Sequence, residues 1–435
     1  MEKYFSINDV IEVPEKLYIK KLDNKFVVLA FEKPNWIVLD EKEYNMFSLI
    51  NKENTIIDIL EQYSENYDDQ EEVIIDCMQS LLEKVEKNKF YELTNTVEND
   101  SIEQIKKTIQ IHLTHKCNMR CIHCYMAAGN AIDNELIEEE WKRTVDNLSK
   151  VIKNTEIVFT GGEPLIRKDS INIMKFAKKC GHNVVLFTNG VLIDEDIILG
   201  LSKCVDEIQV SIEGVTKQCY ENVRGKDNYD KLINGLNLIK KYKIPLTLAI
   251  TIIPSNIEDI EYNLINFLKK FDYDKVKVRI NTKLDKEGYA KNLPEEFFEN
   301  SNHINDRVVN IRAKLVEMGY FNEKKYQKNI HFYNCGIGCS ITIDSNGKIY
   351  PCSKLNISRG NIVNKNINEL IDEFNRLNRD TEITNMELCK ECELKYICSG
   401  GCRIEHYLKT KNYLKPICDN NYKEQIYKTL INESL

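Results

Sequence analysis

The sequence predicts an α/β protein: a partial (β/α)6 barrel of TIM type, preceded by a small winged-helix-like unit and followed by a cysteine-rich region. Three observations carry this. First, short β-branched runs alternate with helical stretches between about 107 and 300. The runs are Ile109–Leu113, Ile157–Phe159, Val184–Phe187, Ile208–Ile212, Leu246–Ile252 and Val276–Ile280, the pattern of a parallel sheet with crossover helices. Second, residues 1 to about 95 read as strands followed by three helices. Third, eleven of the fifteen cysteines fall in tight groups.

In the N-terminal unit, Leu17–Lys21 and Lys25–Phe31 flank the turn Asp23-Asn24 and predict a hairpin. Trp36–Leu39 predicts a third strand. Glu41–Ile50, Thr55–Tyr63 and Asp69–Val85 predict helices. In the last, Val73, Cys77, Leu81 and Val85 predict the apolar stripe, and Asp68 with Glu71 predicts a capping box. The polar stretch 96–107 reads as a linker. The domain boundaries predicted are 1–95, 96–107, 108–310 and 311–435.

Length and an apolar fraction of 42% allow real cores. The net charge of −8 disfavours a nucleic-acid binder. No apolar run is long enough for a membrane helix, and the N-terminus shows no signal peptide, so a cytoplasmic protein is expected. In reducing cytosol, clustered cysteines point to metal or redox chemistry rather than disulfides. Cys77, Cys180, Cys204 and Cys219 are scattered singly and read as structural.

The motifs fall at the C-terminal ends of the predicted strands, where such folds place their chemistry. After the first strand comes CNMRCIHCY, with Cys117, Cys121 and Cys124. Three soft thiolates suit an iron–sulfur cluster, zinc or copper(I). Zinc would need a fourth ligand such as His115, His123 or a distant cysteine. Thr160-Gly161-Gly162-Glu163-Pro164 follows the second strand and FTNG, with Asn189, the third. Ser211 in VSIEG and Arg224 in NVRG come later; Ser211 could instead cap a helix, and Arg224 could instead form a surface ion pair. Near the C-terminus, Asp344-Ser345-Asn346-Gly347 predicts a hairpin between ITI and KIY that brings Cys339 and Cys352 near each other.

CxxxCxxC followed by GGEP resembles the radical S-adenosylmethionine (SAM) enzymes. Where that family usually has an aromatic before the third cysteine, this chain has His123. The resemblance implies a [4Fe-4S] cluster on Cys117, Cys121 and Cys124 whose fourth iron chelates SAM, with reductive cleavage giving a 5′-deoxyadenosyl radical. It places Gly161, Gly162, Glu163, Pro164, Asn189, Ser211 and Arg224 about the SAM.

The spacing C-x11-G-x4-C, then C-x2-C-x5-C-x3-C, then C resembles the SPASM extension of the same enzymes. This implies two auxiliary [4Fe-4S] clusters, three clusters in all. Cys335, Cys339, Cys352 and Cys402 would hold the first, and Cys389, Cys392, Cys398 and Cys418 the second. Cys339 either closes the first cluster or stands beside an open iron.

With the N-terminal unit added, the whole resembles maturases of ribosomally made peptides carrying a precursor-recognition element, of the thioether-forming sactipeptide or ranthipeptide type. The implied partners are a precursor peptide whose leader adds to a strand edge, and a small electron donor, flavodoxin or ferredoxin. Carbon–carbon cross-linking and epimerisation are rival reactions. Sulfatase maturation fits less well, since those enzymes lack the recognition unit and place aspartate where this chain has Ser353. A non-enzymatic metal-sensing regulator is opposed by the acidic N-terminal unit and the intact GGEP.

Overall fold

The computed structural model describes residues 5–31, 34–91, 108–298, 302–321, 328–354 and 357–434, with only the backbone described at 302, 303 and 305. The predicted linker 96–107 lies outside the described residues. Contacts divide the chain into two compact units. One takes the described residues up to 91, 328–337 and those from 377 onward; the other takes 108–321 and 338–376.

In the first unit, β1 (Leu17–Leu22), β2 (Lys25–Ala30) and β3 (Asn35–Leu39) form an antiparallel meander in that order. The helices α1 (Glu41–Phe47), α2 (Ile56–Asn66) and α3 (Glu71–Lys87) follow. Capping boxes start α1, through Asp40 and Glu43, and α2, through Thr55 and Asp58. The box expected for α3 does not form: its N-cap is Gln70, with no side-chain bond. Its buried stripe is Ile74, Met78, Leu81 and Val85, while Val73 is exposed and Cys77 half-buried. A strict four-residue spacing drifts around a 3.6-residue helix, so the stripe that stays on one face steps by four, three and four.

β2 is buried on both faces. Phe26, Val28 and Ala30 pack with the three helices. Val27 and Leu29, with Trp36 and Val38 of β3, pack instead on Leu394, Ile397, Ile426, Tyr427 and Leu430 from the C-terminal part of the chain.

The second unit is built on one eight-stranded sheet. Its strands β4 (Thr108–Thr114), β5 (Glu156–Gly161), β6 (Asn183–Thr188), β7 (Glu207–Ser211), β8 (Leu246–Thr251) and β9 (Val276–Asn281) lie side by side in sequence order, all parallel. This is the expected partial (β/α)6 barrel. Between them run α4 (Glu138–Val151), α5 (Ser170–Lys179), α6 (Glu195–Leu201), α7 (Lys217–Arg224), α8 (Tyr229–Lys241) and α9 (Ile257–Phe271), with α10 (Asn302–Glu317) after β9. One large apolar core fills the space between sheet and helices.

The hairpin β10 (Ser340–Ile343) and β11 (Ile349–Tyr350) forms as expected. Its placement was not foreseen: β10 pairs parallel with β4 and extends the sheet. The Gly338 amide donates to the Pro351 carbonyl at 2.9 Å, so the strands bearing Cys339 and Cys352 leave the hairpin as neighbours. α11 (Ile367–Asp380) sends Ile367, Leu370 and Phe374 into the same core. The short helix α12 (Lys395–Cys398), then α13 (Arg403–Thr410) and α14 (Asn420–Asn432), complete the first unit. No described helix is long and apolar enough to cross a membrane.

In the first unit Lys328 donates to the Trp36 carbonyl at 2.7 Å and to Asn88 Oδ1 at 2.5 Å. The Asn329 amide donates to the Pro34 carbonyl at 2.9 Å. Burial pushes the Lys328 ammonium down to about 8 from 10.5. Between those values the unfolded chain holds a proton that the folded chain has released, so stability rises with pH across the window. Lys328→Met removes that gain. Scanning calorimetry of wild type and variant at pH 8, 9 and 10 should show their unfolding temperatures diverging in favour of wild type as pH rises. A constant difference contradicts the assignment.

Candidate radical SAM site

The β4 chain continues into the cysteine loop, which is pinned from several sides. The Cys117 amide donates to the Gly129 carbonyl at 3.0 Å, and the Gly129 amide to His115 at 2.9 Å. The Ile122 amide reaches the Val223 carbonyl on α7 at 3.3 Å. Cys117, Cys121 and Cys124 all line one cavity of about 330 Å³ at the C-terminal ends of the strands, within the usual range for small-molecule sites.

The Gly161-Gly162 turn lies against this loop. The Gly162 amide donates to the Thr114 carbonyl at 2.8 Å and the Glu163 amide to Lys116 at 2.9 Å. Gly161 has φ +126°, and a Cβ on Gly162 would stand 2.4 Å from the Lys116 carbonyl oxygen. Both glycines face the cavity. The approach that excludes a side chain, however, is to the cysteine loop's own backbone.

Glu163 is fully buried and is not among the cavity-lining residues. Its carboxylate accepts from the Leu165 amide at 3.1 Å, Thr188 Oγ1 at 2.8 Å and the Asn189 amide at 2.8 Å. Burial pushes this carboxyl above its usual range, against those three donors. Glu163 therefore ties the end of β5 to the end of β6. Pro164 opens a buried 3-10 turn behind it and likewise does not line the cavity. Asn189 does line it, held by Asn118 Oδ1 at 2.8 Å.

Ser211 lines the cavity at the end of β7 and caps no helix; Thr216 is the N-cap of α7. Arg224, 7% exposed, is no surface ion pair. Its Nε donates to Glu213 Oε2, and His123 Nε2 lies 3.6 Å from Glu213 Oε1. Burial works to raise the Glu213 carboxyl, but Arg224 and His123 outweigh it and hold it ionised. His115, a candidate zinc ligand, is engaged elsewhere by Asp344 Oδ1 at 2.8 Å.

Sequence reasoning missed Glu213 and a set of inward-facing polar groups. Gln110, Gln209, Thr251, Arg279 and Asn281 also line the cavity. Their signal was alternation. Gln209 and Ser211 flank buried Val210, and Arg279 and Asn281 flank Ile280, a period of two on strands that otherwise read as fully apolar.

Among the described residues no three His, Cys, Asp or Glu side chains converge on a single-ion position. The three thiols border a cavity instead. Burial pushes the Cys121 thiol up to about 11 and raises Cys117 as well. Three thiols bordering a cavity with polar lining groups fit a thiolate-ligated iron centre, which displaces thiol protons on binding.

In the first unit a second cysteine set is packed together. Burial pushes Cys389 and Cys398 up to about 11, and the charges of Cys392 and Cys418 add to the effect on both. Cys335 and Cys402 belong to the same unit, Cys339 and Cys352 to the barrel unit.

A family profile for the Radical SAM superfamily matches residues 111–264, and one for the iron–sulfur cluster-binding SPASM domain matches 335–393. The chain carries a radical SAM domain and a SPASM domain. Among curated proteins it is similar to the AdoMet-dependent heme synthase of Methanosarcina barkeri, 26% identical over 343 residues, covering 72% of this chain and 96% of that protein. The Fe-coproporphyrin III synthase of the same organism is 33% identical over 158 residues, 36% of this chain and 39% of the relative. Among solved structures, SuiB of Streptococcus suis with bound S-adenosylmethionine superposes with a TM-score of 0.55 at 17% identity, covering 94% of this chain and 99% of SuiB. The anSMEcpe structure with bound AdoMet gives 0.58 at 20%, covering 75% and 92%.

The radical SAM domain depends on the contact between the glycine turn and the cysteine loop. Gly162→Ala should therefore displace that loop and cost about four irons per chain, one cluster's worth. Iron quantification after anaerobic reconstitution checks this. Unchanged iron would show that the loop tolerates the methyl.

Proposed function

We propose that the protein modifies a ribosomally made precursor peptide by hydrogen abstraction, forming a thioether between a cysteine sulfur and a carbon of the same peptide. One observation supports this above the others. The three-stranded, three-helix unit stands in the same chain as the SAM-type cavity, and the likeness to SuiB, one structure of which holds the precursor peptide SuiA, spans 94% of the chain. β1 is the edge strand with the more exposed side chains, including Tyr18 and Ile19. An extended leader can add there by backbone pairing.

The cavity residues have separable tasks. Cys117, Cys121 and Cys124 would hold the cluster that opens SAM. Asn189, Ser211 and Arg224 offer polar groups to its amino acid end, while Gly161 and Gly162 leave room for it. By the sequence resemblance, Cys335, Cys339, Cys352 and Cys402 would hold one auxiliary cluster and Cys389, Cys392, Cys398 and Cys418 another.

Thioether formation breaks one C–H and one S–H bond and makes one C–S bond. One hydrogen would leave on 5′-deoxyadenosine and the thiol proton would go to water, and an auxiliary cluster held by these cysteines would supply the acceptor for the remaining electron. Flavodoxin or ferredoxin would supply the electron that cleaves SAM.

A second reading rests on the similarity to the M. barkeri heme synthase, which spans 96% of that protein. It would make the substrate a tetrapyrrole. The N-terminal unit favours the peptide.

Co-expression with a cysteine-containing precursor encoded beside this gene, followed by mass spectrometry, separates the readings. The expected result is a loss of about two hydrogens per cross-link with one 5′-deoxyadenosine formed per bond, abolished by replacing Cys117, Cys121 and Cys124 with alanine. An unmodified peptide together with turnover of an iron porphyrin would establish the second reading.

A further inference from the structure

Arg403 is completely buried. A guanidinium stays charged in proteins, and a buried charge is costly unless it is compensated. Among the described residues its hydrogen bonds go to backbone carbonyls: Nε to Thr381 at 2.8 Å, Nη1 to Gly401 at 2.7 Å and Nη2 to Ser399 at 2.9 Å. No carboxylate pairs with it among the described residues. Two of these carbonyls, Ser399 and Gly401, lie on the loop that runs from Cys398 to Cys402.

The loop between Cys398 and Cys402 is shaped around this cation. Ser399, Gly400 and Gly401 have φ of +55°, +74° and +77°. Three successive left-handed residues curl the chain so that the carbonyls of 399 and 401 turn inward. A Cβ on Gly400 would lie 3.0 Å from Arg403 Nη1, so the loop closes on the guanidinium with no room for a side chain there. The strained curl and the buried cation are one construction.

That loop joins the two expected auxiliary sets: Cys402 belongs to the first and Cys398 to the second. Thiolate-ligated cubanes are anions and gain one further negative charge on reduction, and their potentials respond to nearby charge and burial. A fixed cation in a dry setting therefore favours the reduced form of each.

We propose that Arg403 is the shared counter-ion of the two auxiliary clusters, raising both reduction potentials and so fitting them to accept the electron released on cross-linking. This rests on the reading that both clusters are present.

The test compares Arg403→Lys with Arg403→Gln in the full, anaerobically reconstituted protein. Both lose the three-carbonyl fork; only lysine keeps the charge. Iron is counted, and the auxiliary clusters are titrated by electron paramagnetic resonance against a set potential. Arg403→Gln should shift the reduction equilibrium at least tenfold toward the oxidised form, about 59 mV for a one-electron couple, while Arg403→Lys stays near wild type. Loss of auxiliary iron in the glutamine variant alone also supports the charge. Equal behaviour of the two variants, whether equal iron loss or equal potentials, would make Arg403 a mere brace and overturn the proposal. Wild-type protein with only four irons would sink the underlying cluster reading instead.

Discussion

The backbone of the Gly161-Gly162 turn lies so close to Thr114 and Lys116 that no side chain fits between them. That approach fixes where β5 ends relative to the cysteine loop, and the rest of the site is built outward from it. Glu163 carries the link on to β6 through Thr188 and Asn189. Arg224 and Glu213 form a buried pair beneath His123, with the α7 backbone holding the loop at Ile122. Removing one member of such a pair leaves an uncompensated buried charge, at a cost of about 3–5 kcal/mol. Three thiols thereby border a cavity that polar groups such as Asn189, Ser211, Arg279 and Asn281 also line.

The cysteine-rich region is not a separate appendage. Its hairpin extends the barrel sheet beside β4. Asp344 in the hairpin turn binds His115, and Ser345 accepts the Leu136 amide and bonds Glu135. Glu135 in turn accepts from the His115 amide at 2.7 Å. The loop that carries the first three cysteines is thus braced by residues more than 200 positions away. Within the other unit, the N-terminal sheet shares a core with α14 and with the chain around Cys392 and Cys398. The expected peptide-recognition element and the expected second auxiliary site are therefore packed as one body.

Much of this was legible in the sequence because local rules governed it. All six barrel strands, the N-terminal meander and the β10–β11 hairpin follow from short-range pattern and turn chemistry. The cysteines and GGEP could be placed because their spacing is compact. What was not legible depends on distant partners. The pairing of β10 with β4 joins segments with no shared local signal. Glu163 reads as a ligand residue in its motif, yet the fold turns it inward to bind backbone amides. Glu213 becomes visible only once Arg224 and His123 are seen around it. The missing cap on α3 has a different cause: Asp68 lies two residues before the helix's actual N-cap, and Lys42 and Tyr63 engage Asp69 rather than the helix start.

The central claim is that Cys117, Cys121 and Cys124 leave one iron open and that SAM occupies it. Electron–nuclear double resonance of the reduced protein with SAM labelled by 17O in the carboxylate and 15N in the amino group addresses this directly. The account predicts hyperfine coupling to both labels from a [4Fe-4S] signal, lost when the three cysteines are replaced by alanine. A cluster signal with no coupling to either label would contradict it.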